Sequence, residues 1–282
     1  MNESSPRRLM RWMMFVAGGV LLFLAFLYAS FPVERINERI AAELAGRGMK
    51  LAPACRKLLL PGLGWESPVL SSENGPLIKA GLLELRPAWG RLLTGRLTAG
   101  ARAKIGNGTL EAEYTFNGPE ALRLSAQNVP LSEIPFFTTV LGAKAGGELR
   151  SEGLLQRSRQ GLSGDVKIEV RGLEFAGIRL GALPLPDVSG IKAQGAIRFT
   201  NNAARLESLS FEGDGIYMRL SGNLPGGAAA ATAPLDLTLE IMPRAEFMDR
   251  QKLVFLLLAK FMTSPGVYRI PIKGTLVKPE IL

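Results

Sequence analysis

The side chains that most often carry enzyme chemistry are scarce in this sequence. Its 282 residues include no histidine and one cysteine, Cys55. The lack of histidine removes the usual general base at neutral pH, any Ser-His-Asp triad and the commonest metal ligand. One cysteine forms neither an intramolecular disulfide nor a cysteine-based zinc site, and nothing obvious would activate its thiol. The sequence therefore predicts a protein that is not an enzyme, with no catalytic residues, no cofactor and no metal.

Two carboxylates at alternate positions are the best remaining catalytic candidates. Glu111 and Glu113 share the polar side of segment 109–117, in which polar and apolar residues alternate. A glycosidase uses such a pair of carboxylates. Charges on the polar side of an alternating strand are, however, usually solvated. We therefore interpret the pair as part of a solvated strand face.

The balance of charged residues indicates whether the protein binds nucleic acid or anionic lipid. The chain has 34 Lys and Arg against 25 Asp and Glu, a net charge of +9, and 7% aromatic residues. A nucleic-acid groove requires clustered cations with stacking aromatic side chains. No run of Lys or Arg here exceeds two residues. We therefore expect no nucleic-acid partner, and the positive balance suits anionic lipid headgroups instead.

An uncharged apolar segment of twenty residues, 12–31, lies near the N-terminus. At about 1.5 Å per residue, a helix of this length spans about 30 Å, the thickness of a bilayer's hydrocarbon core. The segment therefore predicts a transmembrane anchor. A cleavable signal peptide is the alternative, although its apolar core is usually shorter, about 7–15 residues. The predicted anchor residues are Trp12, Phe15, Leu22, Phe26 and Tyr28.

The residues on either side of this segment predict its orientation and a second helix. Three arginines within 1–11 indicate, by the positive-inside rule, a cytoplasmic tail and an exported main domain. Within 32–48, Ile36, Ile40 and Leu44 recur at helical spacing, which predicts an amphipathic juxtamembrane helix. This helix could lie on the membrane surface or cap the exported domain.

Residues 49–282 are predicted to form one β-rich domain of about ten strands. Apolar and polar residues alternate most clearly in 109–117 and 234–241, and turn residues recur at a spacing typical of an antiparallel meander. Short helices are predicted at 131–141 and 245–262. The second should present a stripe of Leu253, Leu256, Leu257 and Phe261. Pro271 favours an edge position for the last strand.

The apolar face of such a sheet must be covered. The fold expected is mainly β: a single transmembrane helix, then a curved antiparallel meander, as an open trough or a sandwich, with a few short helices. The same aliphatic side chains would line a groove or fill a core, so the sequence leaves both open. The candidate groove-lining residues are Leu110, Tyr114, Phe116, Val166, Ile168, Leu235, Leu237, Leu239 and Ile241.

Two parts of the sequence resemble known envelope families. Residues 129–135 (VPLSEIP) and 146–149 (GGEL) resemble AsmA-like proteins, whereas 268–279 (YRIPIKGTLVKP) resembles the type II secretion system protein GspN family. The resemblance implies a Gram-negative, single-pass inner-membrane protein with an AsmA-like periplasmic domain at 49–282 and other secretion-system proteins as partners. We therefore expect a non-enzymatic component or accessory of the type II secretion system. The alternative is an envelope lipid-binding or lipid-transfer protein whose sheet groove holds phospholipid acyl chains.

Overall fold

The structure is a computed structural model of the 282-residue chain. It describes residues 10, 12–16, 18–19, 22–23, 26, 28, 30–92, 94–180, 183–213, 215–225 and 233–281. The predicted cytoplasmic tail therefore lies outside the described residues, except for residue 10, and the predicted anchor lies partly outside them.

Strands make up most of the described chain. In chain order they are β1 Met49–Ala52, β2 Arg56–Lys57, β3 Leu63–Glu66, β4 Val69–Ser72, β5 Gly75–Lys79, β6 Leu82–Pro87, β7 Thr98–Ile105, β8 Gly108–Thr115, β9 Glu120–Pro130, β10 Lys144–Ser158, β11 Gly161–Ala176, β12 Arg179–Leu180, β13 Leu183–Pro184, β14 Val188–Thr200, β15 Ala203–Gly213, β16 Ile216–Leu224, β17 Asp236–Pro243, β18 Met262–Ser264, β19 Val267–Thr275 and β20 Lys278–Ile281. The helices are α1 Val33–Ala45, α2 Trp89–Leu92, α3 Phe136–Leu141, α4 Ala245–Arg250 and α5 Lys252–Leu258.

Fifteen of these described strands form one large, open, antiparallel sheet. Its hydrogen-bonded order is β18-β19-β17-β16-β15-β14-β11-β10-β9-β8-β7-β6-β3-β2, and β20 also pairs with β19. Most neighbours in the sheet are therefore neighbours in sequence, so the predicted mainly-β, antiparallel class is confirmed. The sheet has more strands than the sequence predicts. Two smaller sheets, β1-β4-β5 and β12-β13, are separate from it.

In 234–241 the alternation read from the sequence corresponds to burial in the sheet, whereas at the end of 109–117 it does not, because Thr115 is buried and Tyr114 is exposed. On β17, Leu237, Leu239 and Ile241 are buried, whereas Asp236 is exposed. Successive side chains of a strand point to opposite faces, so such a strand hides one face and exposes the other. Segment 109–117 forms most of β8 and pairs with β7 and β9.

The larger hydrophobic core lies over the C-terminal half of the sheet. Ile241 and Ile270, on the paired strands β17 and β19, are fully buried in it. Phe247 of α4, together with Phe255 and Leu258 of α5, covers them. This part of the apolar face is therefore filled by the chain's own side chains.

Both helices predicted in the domain are interrupted. In 131–141 a 3-10 turn, Leu131–Glu133, precedes α3, and Ile134 between them is extended because the residue before a proline disfavours helical geometry. In 245–262 the helix breaks at Gln251, whose side-chain amide bonds both backbone groups of Asp187 at 3.0 and 2.8 Å.

The predicted stripe of 245–262 is wrong. The buried residues Phe247, Phe255 and Leu258 are 8 and 11 positions apart and share a different face of the helical segment, which packs on the core. Leu253, Leu256 and Leu257, which the sequence assigns to the inner stripe, are exposed.

Pro271 lies in a strand that is paired on both sides, so the predicted edge position is wrong for β19 as a whole. On its outer side, β18 pairs with residues 267–268 and β20 pairs with 272–275. Pro271 falls in the gap between these two short strands. Its missing N–H therefore leaves the outer ladder intact.

Candidate functional site, an apolar groove beside helix α1

Helix α1 lies against the N-terminal end of the large sheet. Its apolar residues recur three or four positions apart and therefore share one side. Val33, Ile36 and Ile40 pack against a small cluster formed by Cys55, Leu63 and Trp65. None of the residues of α1 is fully buried. The apolar side of this helix is therefore only partly covered by protein.

Asn37 ties α1 to the chain that precedes β2. Its Oδ1 accepts from the backbone N–H of Cys55 at 2.8 Å, and its Nδ2 donates to the Cys55 carbonyl at 3.1 Å. These bonds satisfy both backbone groups of a buried residue, which are costly to leave unpaired. They also hold α1 at a defined distance from the sheet.

The uncovered side of α1 borders an apolar groove with a volume of about 800 Å³. This volume falls within the range of about 300–1,000 Å³ typical of small-molecule sites. One wall is α1, the second is the three-stranded sheet β1-β4-β5, and the floor is the start of the large sheet. The lining residues are Ile36, Arg39, Ile40, Glu43, Leu44, Leu51, Trp65, Pro68, Leu70, Ile78, Ala80, Leu83, Ala103, Ile105 and Leu110.

Small side chains in the floor leave this space open. Ala103 on β7 lies directly opposite Leu83 on β6 and Leu110 on β8, so these three share a face. Ala80 lies nearby in the lining. An alanine fills much less volume than the leucines around it. The result is an apolar space, in contrast to the C-terminal core, which is filled.

The charged residues of the groove are Arg39 and Glu43, one turn apart on α1. Glu43 pairs with Arg47, which neutralises its charge. Among the described residues, Arg39 has no carboxylate partner within ion-pair distance. The groove therefore combines apolar walls with an unpaired guanidinium, a group suited to bind a phosphate or carboxylate.

The groove-lining residues predicted from the sequence are distributed over three places. Leu110 lies in the groove described above. Tyr114 and Phe116, farther along the same chain segment, are exposed. The Tyr114 hydroxyl accepts from Arg157 at 2.7 Å, and the rings of Tyr114 and Phe116 meet edge to face at 5.0 Å.

The other predicted residues lie toward the C-terminal half of the sheet. Val166 is buried opposite Gly153, and Ile168 packs on the larger core. The four residues of the β17 segment are buried inside that core; they are Leu235, Leu237, Leu239 and Ile241. These residues therefore belong to packed regions and do not line the groove beside α1.

Sequence reasoning missed most of the groove because its second wall and part of its floor come from 49–83, where the pattern is indistinct up to residue 60 and only short strands are predicted beyond it. The strands there are short, and β4 and β5 pair with β1 in a separate sheet. The signal that was present is the apolar stripe of α1, together with Leu63 and Trp65 at alternate positions on β3.

The predicted anchor residues are helical where the structure describes them. Trp12, Phe15, Leu22 and Phe26 are exposed, and Tyr28 is half-buried. Within the part of the chain that the structure describes, no helix combines the length and the apolar character needed to cross a membrane. The anchor stays a prediction.

The three residues that could carry chemistry, Glu111, Glu113 and Cys55, are either paired with arginines outside the groove lining or buried. Glu111 pairs with Arg102 and Glu113 with Arg91, at 2.8 and 2.7 Å. Cys55 is buried, and burial raises the pKa of its thiol. Among the described residues, no group of three or more metal-ligating side chains of the His, Cys, Asp and Glu types comes together.

Comparisons of the chain with protein-family models, curated proteins and solved structures find no match. The resemblance to AsmA-like and GspN proteins therefore stays a prediction from the sequence.

Proposed function

We propose that this chain is a non-enzymatic, membrane-anchored envelope protein whose groove beside α1 holds an acyl chain of a phospholipid. The observation that carries the proposal is the groove itself: about 800 Å³, walled by aliphatic side chains and left open by the protein's own packing. Transfer of apolar surface from water into such a space is favourable by about 0.8 kcal/mol per methylene group. A long acyl chain is the ligand that uses this surface best.

The position of the groove also supports a lipid ligand. Helix α1 begins at Val33, directly after the predicted anchor 12–31. If that segment spans the inner membrane with the main domain in the periplasm, the groove lies next to the lipid surface. The large open sheet would then form a trough whose membrane-proximal end receives the chain.

Arg39 supports a phospholipid over a neutral apolar ligand. Its guanidinium borders the groove, and the nearby Glu43 forms an ion pair with Arg47 instead. A headgroup phosphate at the mouth could pair with Arg39 while the acyl chain occupies the apolar interior. Such a site would match a phospholipid, which has a charged headgroup and an apolar chain.

A role in type II secretion rests on the resemblance of 268–279 to the GspN family and is compatible with lipid binding. It predicts that the chain in cells lies beside other subunits of the secretion machine. In vivo cross-linking tests this separately, because a lipid-free protein with such neighbours would favour the secretion role alone.

The lipid proposal is tested by native mass spectrometry and lipid extraction on the full chain, purified in mild detergent. We expect phospholipid at a defined stoichiometry with the unaltered chain. The double variant Leu70→Glu, Ile78→Glu, which places two charges in the groove wall, should lose it. Arg39→Ala should keep some lipid but lose its preference for anionic headgroups.

The matched control is Leu154→Glu, an exposed leucine on β10 away from the groove. It introduces one of the two changes, leucine to glutamate, and should retain lipid. Circular dichroism and melting temperatures must show that all variants are folded. Lipid that is absent from the unaltered chain, or that persists in the folded double variant, contradicts the proposal.

A further inference from the structure

The loop between β2 and β3 presents two leucines to solvent. Leu59 is 100% exposed and Leu60 is 62% exposed. A single exposed leucine is ordinary, but adjacent leucines at the tip of one loop form an apolar surface that needs an explanation. No periodicity in the sequence marks this segment.

The loop's own packing keeps these side chains outward. The N–H of Leu58 donates to the carbonyl of Gly62 at 3.2 Å, closing the loop. The side chain of Leu58 lies over Gly64, where an added Cβ would be only 2.6 Å from its Cδ2. Leu58 therefore holds the loop on the sheet, and the two leucines after it project away.

Tyr28, near the end of the predicted anchor, contacts this loop. Its hydroxyl lies 2.8 Å from the carbonyl oxygen of Leu58 and 3.1 Å from that of Gly62. A tyrosine three residues before the end of a membrane span lies at the level of the lipid headgroups. Because the loop contacts Tyr28, it also lies at the level of the headgroups.

Two basic residues lie next to the loop. Arg56 and Lys57 form β2, immediately before it, and the Lys57 ammonium lies 5.9 Å from the centre of the Tyr28 ring. Arg56 pairs with Glu66 on β3. Leucines next to cations and an interfacial tyrosine match the surface of a bilayer, apolar inside and anionic at its headgroups.

We propose that loop 58–62 is a second membrane contact, in which Leu59 and Leu60 enter the lipid surface beside Tyr28. The partner is the outer leaflet of the same membrane that holds the predicted anchor. The contact would fix the orientation of β3, and with it Trp65 in the groove lining, relative to the bilayer. It does not require that the groove contains a lipid.

Fluorescence quenching on the full chain in nanodiscs tests the contact. In a Cys55→Ala background, Leu59→Cys carries an environment-sensitive nitrobenzoxadiazole label, and the disc contains phosphatidylethanolamine and phosphatidylglycerol. The control label is at Gln160→Cys, exposed in the turn between β10 and β11. We expect the Leu59 label to be quenched by nitroxide lipids and shielded severalfold from aqueous iodide, unlike the label at residue 160.

Equal quenching of both labels by iodide would overturn the proposal, as would a chain that does not remain with the nanodisc. A benzophenone amino acid at Leu60 provides an independent readout in cells that express the full chain. Cross-linking to phospholipid supports the contact, whereas a protein adduct instead would overturn it by showing that another protein covers these leucines.

Discussion

At the scale of single residues, burial decides the chemistry of Cys55. The side chain is 5% exposed, and burial raises the pKa of the thiol because a thiolate is poorly solvated there. Thiol reagents attack the thiolate. Cys55 therefore has the properties of a small packed side chain that helps support α1.

We predict that native Cys55 reacts with a thiol reagent at pH 7 much more slowly than it does in denaturant. Because the folded pKa lies above the unfolded value of about 8.5, this group leaves stability unchanged below that pH. Stability should then fall as the pH rises through the folded pKa, since the unfolded state releases its proton first. A colorimetric thiol assay and melting curves from pH 7 to 10 measure both effects. Rapid native labelling at pH 7 would contradict the prediction.

At the scale of elements, apolar side chains of the strands serve two purposes. On β17 they fill a core, in which Ile241 is fully buried. On β5, in the separate three-stranded sheet, Ile78 lines the groove and is 42% exposed. The covering elements, α1 at one end and α4 with α5 at the other, make this difference.

We predict that Ile241→Ala lowers the free energy of unfolding by about 2–5 kcal/mol, because it leaves a cavity in a filled core. The matched variant Ile78→Ala should cost much less, about 1 kcal/mol, because Ile78 is already 42% exposed. Denaturant titration of both full-length variants in the same detergent compares them. Equal losses would mean that the groove wall is packed as tightly as the core.

At the scale of the whole molecule, packing is uneven along the sheet. The C-terminal strands share the large core, whereas α1 and β1-β4-β5 surround an open groove beside a small cluster. Regions with few buried apolar contacts open with a lower free energy than the core does.

We therefore predict that backbone amides of β14–β17 and β19 exchange more slowly with solvent than those of α1, β4 and β5. Hydrogen-exchange mass spectrometry on the full chain in detergent measures this order. Bound lipid should slow exchange in α1 and leave the C-terminal strands unchanged. If α1 and β5 were the best protected segments, the interpretation of the groove as an open, adaptable space would be wrong.

Local geometry explains why strands and helices could be predicted from the sequence. The period of two in 109–117 and 234–241 follows from the pleat of a strand, so it identifies strands and their faces without reference to neighbours. The spacing of Ile36, Ile40 and Leu44 identifies α1 in the same way. Helix interruptions at Pro135 and Gln251 were missed. The second depends on a contact with Asp187, 64 residues away in the sequence.

The sequence by itself therefore determined the class of elements, the antiparallel sheet and which side chains share a face. Only the tertiary structure decided which part of the apolar face is filled and which is left open. The burial of Ile241 depends on Tyr268 of β19 and on Phe247 and Phe255 of α4 and α5, which lie together in the core. The space beside Leu110 depends on Asn37, which holds α1 near two alanines of the lining, and on β4 and β5, which pair with β1 in a separate sheet. These are contacts between distant segments, and the period of a strand contains no information about them.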